Sequence, residues 1–379
     1  MLSSLPMERK VFLSILDHAV NEKCSDIHIK SGYPPFFRIN GFLVGVSQTC
    51  LTAIDTLSIA NYLLEDRGLS LVQKANTLYI NDPSRGAMDI FTDIDVSYEI
   101  PTRTRFRINL YKSRGAVGIA MRVIANEVKS FSDLNLPETI EKISGLRRGL
   151  ILVAGPTGMG KTTTIAAILE NINKNRTDHI LTIEDPIEFV LQPKQSMVTQ
   201  REIPTDAQSF TEAIRGAMRQ NPDVLMIGEM RNADTAEIGL KASETGHLVI
   251  SSLHTSSAVQ TISRFVSFFE PAQQSIVRLR LADNLMAVIS LRLLPRIDKS
   301  GQIPAVEILR ATRTIQECMK SPERSHEILG HMAKSREFGM QTFDQHLIEL
   351  IQAKKISQDV GLAAATSPTD MEREIEFGG

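Results

Sequence analysis

Residues 150–162 read LILVAGPTGMGKT, an apolar run from Leu150 to Ala154 that passes directly into Gly155-Pro156-Thr157-Gly158-Met159-Gly160-Lys161-Thr162. The second half is G-x-x-x-x-G-K-[ST], the pattern of a phosphate-binding loop between a buried strand and a helix. Gly155, Gly158 and Gly160 let the backbone curl with its N–H groups inward, and a helix starting near Gly160 adds the positive end of its dipole. Lys161 is then placed for the β and γ phosphates, and the Thr162 hydroxyl for Mg²⁺. A plain glycine turn between a strand and a helix is the alternative; the flanking apolar strand favours a nucleoside triphosphate site.

Downstream, three more apolar runs end in residues suited to that chemistry. His179 to Glu184 is a strand closing on Glu184 and Asp185. A parallel sheet delivers such acids beside the phosphates, because its ligands sit at the carboxyl ends of the strands. Both are candidates for the water shell of Mg²⁺, against the simpler role of capping a strand end. Asp223 to Glu229 is a second strand of this kind. Gly228 stands where many relatives of this motif carry Asp, which weakens direct metal ligation and makes Glu229 the general base or water-orienting group. Gly246 to Thr255 is a third, with His247 and His254 at its two ends. Seven positions of regular strand put these histidines on opposite faces and about 23 Å apart, which excludes a shared metal. His254, at the carboxyl end, is preferred as the phosphate sensor.

The remaining need is positive charge on the γ-phosphate. Arg103, Arg105 and Arg107 alternate along one strand face, with Arg114 and Arg122 across the following hairpin. A charged strand face is usually just solvated, but ATPases with this loop commonly draw an arginine from outside the sheet. Arg215, Arg219 and Arg231, flanking the Glu229 strand, are the alternative donors.

Bulk properties narrow the class. The 379 residues are 42% hydrophobic, enough for two or three domains with their own cores. A net charge of −2 gives no general attraction to nucleic acid or anionic membrane. With no Trp and 5% aromatics, a base-stacking platform is disfavoured. Cys24, Cys50 and Cys318 are scattered, which argues against a disulfide scaffold or zinc ribbon and fits a reducing cytosol. No stretch of roughly 18 apolar residues and no signal-peptide core occurs, so direct membrane insertion is not expected.

Periodicity divides the chain. Residues 8–23 have the spacing of an amphipathic helix, Asp26 to Ile39 reads as a hairpin, and Thr52 is placed to cap a helix reaching about Asp66. Alternation over 88–98 and 103–111 leads to an apolar strand from Val117 to Ile124. This predicts an α/β domain over 1–124, a polar linker over 125–134, and a second domain over 135–379 built on a parallel α/β sheet. From about 272 the pattern reads as helical: Ala272 to Leu294, Thr312 to Lys320, Ser325 to Arg336 and Thr342 to Lys354, with strand character only at Ile303 to Leu309. The tail from Ala363 reads as poorly packed or as an interaction segment.

GPTGMGKTTT, TIEDPIEF, VLMIGEMRNADT and GHLVISSLHT, in this order, resemble the Walker A, Asp box, Walker B and His box of the secretion ATPase superfamily, which powers type II and type IV secretion and type IV pili. The resemblance extends through SDIHIKSGYPPFFRINGFL, the arginine strand RFRIN and MAKSREFGMQTFDQHLIEL. It is nearest to the pilus retraction ATPases of the PilT/PilU family, and on MAKSREFGMQTFDQ and VTQREI to the PilU side. The four-cysteine zinc insertion and longer N-terminal extension of the assembly-type ATPases do not appear. Neither does an AIRNLIRE-like C-terminal motif, in whose place DMEREIEFGG stands; this suits an auxiliary, PilU-like motor.

The resemblance implies an N-terminal PAS-like α/β domain and a C-terminal RecA-like P-loop ATPase domain with a helical C-terminal region. It implies a homo-oligomer, a hexameric ring, with ATP and Mg²⁺ at a cleft between domains and subunits. By motif, Gly155, Thr157, Gly158, Gly160, Lys161, Thr162 and Thr163 bind nucleotide. Thr162 and Glu184 serve the metal, Glu184 through water. Glu229 is the catalytic glutamate and His254 belongs to the His box, while Arg105, Arg107 and Arg122 fall where N-domain arginines reach the γ-phosphate. The implied function is a cytoplasmic ATP hydrolase driving pilus retraction and twitching motility. It would sit peripherally at the inner membrane through a platform protein, with a second retraction ATPase as a further partner and no nucleic acid. The alternatives are a traffic ATPase of type IV secretion or conjugation, and a weakly hydrolysing nucleotide-binding scaffold that assists another motor.

Overall fold

The computed structural model describes residues 7–39, 41–74, 77–84, 87–100, 104–124 and 127–377. Arg103, Asn40 and the first two residues of the expected linker, Ala125 and Asn126, lie outside the described residues. The chain divides into two compact units, Met1–Glu127 and Val128–Gly379.

The first unit opens with α1 (Arg9–Asn21), then β1 (Asp26–Lys30), β2 (Phe36–Ile39), β3 (Phe42–Gly45) and α2 (Ala53–Leu64). Thr52 starts α2 through a capping box: its hydroxyl accepts from the Asp55 N–H, and the Asp55 carboxylate accepts from the Thr52 N–H. Next come β4 (Ser70–Lys74), β5 (Thr77–Asp82), β6 (Ala87–Ile90), β7 (Asp93–Ile100), β8 (Thr104–Ser113) and β9 (Ala116–Ile124). Six strands form an antiparallel sheet in the order β3-β2-β1-β9-β8-β7, and β4, β5 and β6 a smaller one. Strand alternation decides its faces. Phe106, Ile108 and Leu110 of β8 enter a core with Phe12 and Leu16 of α1 and Ile59 of α2. Arg107, between them, is exposed. Across the sheet Arg107 pairs in register with Arg122, Arg122 with Asp26, and Asp26 with Arg38, so one row carries three arginines and a single acid.

The second unit begins with α3 (Glu138–Ser144), β10 (Gly149–Ala154), α4 (Lys161–Asn175), β11 (His179–Glu184), β12 (Met197–Glu202) and α5 (Phe210–Ala217). It continues with β13 (Val224–Ile227), α6 (Ala233–Glu244), β14 (Leu248–Leu253), α7 (Ala258–Ser267) and α8 (Pro271–Asn284). The last elements are β15 (Leu285–Pro295), β16 (Gln302–Arg310), α9 (Arg313–Lys320), α10 (Glu327–Ala333), α11 (Phe343–Gln352), α12 (Gln358–Ala364) and α13 (Pro368–Phe377). Seven strands form one sheet in the order β12-β11-β13-β14-β10-β15-β16, all parallel except β16, which runs antiparallel to β15. Both faces are covered, which is why the strands read as unbroken apolar runs. In β10, Leu150, Leu152 and Ala154 join one core with α5–α10, while Ile151 and Val153 join the other with α3 and α4. Val128, Phe131 and Leu134 pack against this second core.

Two sequence expectations fail here. The helix read over Ala272 to Leu294 stops at Asn284, and Leu285–Pro295 is a strand. No Gly or Pro interrupts 272–294, and an apolar run fits a buried helix or a buried strand equally well. Partners decide it: β15 lies between β10 and β16 and buries both faces. Of the two readings of the tail, the poorly packed one fails, because α13 places Met371 in a core with Leu294, Ile303, Phe343 and Leu347.

Candidate active site

The phosphate loop owes its position to β10, the third strand from the β16 edge of the sheet. Gly158 and Gly160 have φ of 81° and 85°, a region costly for other residues. At Gly155 the constraint is space, since a Cβ there would lie 2.9 Å from the Leu291 carbonyl oxygen of β15. Helix α4 then starts at Gly160 with no side-chain cap, whereas α5, α6 and α7 are capped by Ser209, Asn232 and Ser257. The N–H groups and dipole end of α4 are thus free of a competing side-chain acceptor, as an anion site requires.

Lys161, the first residue of α4, is buried and folds back over its own loop, donating to the carbonyls of Gly155 at 2.7 Å and Pro156 at 3.0 Å. Its ammonium also lies 3.4 Å from His254 Nδ1. His254 Nε2 in turn lies 3.2 Å from Glu229 Oε2. If Nδ1 accepts from the ammonium, the ring proton sits on Nε2 and is donated to Glu229, giving a chain Lys161–His254–Glu229 across three strand ends. Burial pushes the Lys161 ammonium below its ordinary pKa, and the carboxylates of Glu229 and Glu188 oppose that shift. Arg231 pairs with the other Glu229 oxygen. Of the alternative arginines, Arg231 is therefore in the site, whereas Arg215 lines a cavity of about 390 Å³ beside Asp234, Glu237 and Lys241 of α6. Arg219 is exposed beyond α5.

Glu184, ending β11, is buried. Thr182 Oγ1 donates to its Oε1 at 2.7 Å and Gln200 Nε2 to the same oxygen at 3.1 Å. Burial raises the carboxyl pKa above its ordinary value, against the lowering effect of these two bonds. Thr162 and Glu184 line the same void of about 10 Å³, about the space of a single water. Asp185, next along, is exposed. Gln200 is a residue that sequence reading missed. On β12 it binds Glu184 and also ties down the loop between, donating to Phe189 O at 2.9 Å and accepting from Leu191 N–H at 2.8 Å. Its segment, VTQREI, was legible only as a point of likeness. Thr182, hidden in an apolar strand, is missed too, although strand alternation puts it on the face of Glu184.

Gly228 stands where a side chain would be tight against the neighbouring strand end. Its N–H donates to Ile183 O at 2.8 Å, and a Cβ would approach that oxygen to 3.2 Å. His247, before β14, contacts Ala242 O at 3.0 Å and Thr245 Oγ1 at 3.1 Å, whereas His254 follows β14 and lies beside Lys161 and Glu229. Thr157 is exposed on the loop, and Thr163 is half-buried on the first turn of α4. In the first unit, Arg105 Nη2 donates to Ser97 Oγ at 3.1 Å and pairs with Glu99 at 3.6 Å. Arg122 Nε donates to Asp26 Oδ1 at 3.1 Å, and Arg107 is exposed. Among the described residues no helix is long and apolar enough to cross a membrane.

Residues 2–367 match the family described as Type II/IV secretion system protein. The type IV pilus retraction ATPase PilT of Pseudomonas aeruginosa is 35% identical over 354 residues, covering 93% of this chain and 98% of that protein. The type IV pilus ATPase PilU of the same organism is 34% identical over 369 residues, covering 97% and 92%. The crystal structure of the pilus retraction motor PilT with bound ADP matches with a TM-score of 0.80 at 34% identity, over 98% of this chain and 100% of that one. A phosphate loop on a parallel sheet, acids at two strand ends and likeness along nearly the whole length agree: the chain belongs to the Type II/IV secretion system protein family, in its PilT/PilU group of P-loop ATPases.

Proposed function

We propose that this protein is a ring-forming motor ATPase that couples Mg²⁺-dependent ATP hydrolysis to type IV pilus retraction, in an auxiliary, PilU-like role. The observation that carries the reading is the chain Lys161–His254–Glu229 at the carboxyl ends of the sheet, with Glu184 beside Thr162. In the loaded site Lys161 leaves its own loop carbonyls for the β and γ phosphates, which releases His254 from the ammonium. Thr162 would hold Mg²⁺ there, and Glu184 would order a water of the metal's shell. Glu229 accepts the proton of the attacking water, with His254 reporting whether the γ-phosphate is present. Arg105, Arg107 and Arg122 are the proposed sources of positive charge for the γ-phosphate. The working state is a homo-hexamer in the cytoplasm, held at the inner membrane by a platform protein and acting beside a second retraction ATPase.

The test is a deletion strain complemented with the wild-type chain or with Lys161→Ala. Wild type restores twitching and clears excess surface pili, and the variant does neither. A deletion strain with normal pili and normal twitching sinks the pilus reading. In the purified protein, turnover that appears only when a partner ATPase is added favours the scaffold alternative.

A further inference from the structure

Far along the chain from every phosphate-site residue, α9 and α10 bring together Cys318, Glu327 and His331, and one ligand atom from each lies within 4.8 Å of the others. Glu327 and His331 are four residues apart on α10, so their side chains share a face. Cys318 comes from the buried side of α9, in the core that also holds Ile328 and Met332 of α10. The thiol is thus held against α10 by packing that does not depend on the polar groups. Cys318 Sγ is 3.9 Å from Glu327 Oε2, and His331 Nε2 is 3.7 Å from the same oxygen. In a tetrahedral zinc site with bonds of about 2.0–2.3 Å, such donor atoms stand about 3.3–3.5 Å apart. The two edges that meet at Glu327 Oε2 need to shorten by only a few tenths of an ångström to reach that geometry, and the third, between Cys318 and His331, lies within 4.8 Å.

We propose that Cys318 Sγ, Glu327 Oε2 and His331 Nε2 form a binding site for a divalent transition metal of the zinc class, clamping α10 onto α9. Thiolate, imidazole and carboxylate are the donor set that zinc prefers over Mg²⁺ or Ca²⁺. Glu327 and His331 are half-buried while Cys318 is buried, so the metal enters from the solvent side, where water completes its coordination. On binding, the thiol gives its proton to solvent and a sulfur–metal bond forms in its place. Arg324 now holds both Glu327 oxygens, Nε on Oε1 at 3.1 Å and Nη2 on Oε2 at 2.9 Å. With the metal on Oε2, Nε keeps Oε1, and Arg324 becomes the outer partner that orients the carboxylate.

The purified full-length protein, without nucleotide, is titrated with Co²⁺ alone and followed optically. One equivalent should bind with a thiolate-to-cobalt charge-transfer band, and Zn²⁺ should displace it. The phosphate loop offers no thiolate, Met159 being a thioether, so cobalt there gives no such band. Glu327→Gln and His331→Gln should each abolish the band and weaken binding by more than the roughly 10–100-fold that loss of an outer partner costs. Cys50→Ser should keep both. Cys318→Ser should also abolish the band, and if that core change prevents folding, the two α10 variants decide. Absence of the band in the wild type, its survival in His331→Gln, or an equal rise in melting temperature with Zn²⁺ in His331→Gln and wild type would overturn the proposal.

Discussion

Glu184 and Glu229 stand at the ends of paired parallel strands, β11 and β13, and the protein treats their carboxylates in opposite ways. Glu184 is buried, takes two hydrogen bonds on one oxygen from neutral donors, and is held above its ordinary pKa by the loss of water. Glu229 reaches outward to two partners that are charged or able to be, Arg231 and His254. The first arrangement fixes a carboxylate in place against α4 and Thr162. The second leaves a carboxylate whose partners among the described residues are two side chains at the mouth of the phosphate site. On the function proposed above, one acid positions and the other reacts, and the difference lies in their neighbours rather than in residue type.

The largest way to test that difference is Glu229→Gln. Loss of the proton acceptor should lower turnover by about 10²–10⁴-fold while nucleotide affinity stays within a few-fold. Hydrolysis assays beside a nucleotide-binding titration check it, and near-normal turnover would remove Glu229 from the chemistry. Glu184→Gln should have a smaller effect of a different kind. Turnover should fall roughly 10-fold to 100-fold, and the Mg²⁺ concentration for half-maximal rate should rise, because on the proposed reading an outer partner of the metal is lost. An unchanged Mg²⁺ dependence would break the contrast between the two acids.

Glu307 supplies the control, as a buried carboxylate whose oxygen is committed to the backbone. Standing on β16, it accepts from the Ala258 N–H at 2.6 Å and so caps α7. Burial lifts its pKa from 4.5 to about 7. Because the folded chain binds the extra proton between those values, stability is greatest below the unfolded pKa and is lost as the pH climbs through about 7. Glu307→Gln keeps an acceptor for Ala258 and removes the titration. It should be more stable than wild type at pH 8, by on the order of 1–3 kcal/mol, with equal stability at pH 4. Denaturant melts at the two pH values measure this, and a variant less stable at both would show that the charge itself is needed.

Much of this site can be read from residue order alone. The phosphate loop, the acids at 184 and 229 and the choice of His254 over His247 all follow from apolar runs ending in polar residues, a pattern that survives because each strand is buried on both faces. What escapes is whatever depends on partners across the sheet. The strand over Leu285–Pro295 reads as a helix because nothing local distinguishes the two, and only pairing with β10 and β16 resolves it. Gln200 is invisible for a related reason: strand alternation puts Thr182 and Glu184 on one face, but nothing links residue 200 to them before β11 and β12 are paired. The clustering of Cys318 with His331 is likewise a product of helix packing, separated in the chain by a turn.

The smallest effect concerns the glycine between the two acids. Gly228 follows β13, donates its N–H to Ile183 O at 2.8 Å and accepts at its carbonyl from Ser252 Oγ at 2.7 Å, so it ties the ends of β11, β13 and β14 together. A Cβ here would sit 3.2 Å from the Ile183 oxygen and 3.5 Å from Glu184 Cα. Gly228→Ala therefore has to move the Glu184 strand end away from Glu229 by a few tenths of an ångström. The cost should be about 1 kcal/mol of stability and a few-fold in turnover. Gly228→Asp, which restores the acid found in many related motifs, should be worse than Gly228→Ala on both counts, because a larger side chain enters the same gap. A Gly228→Asp protein that folds like wild type and binds Mg²⁺ more tightly would mean that the spacing of the two strand ends is not what keeps their roles apart.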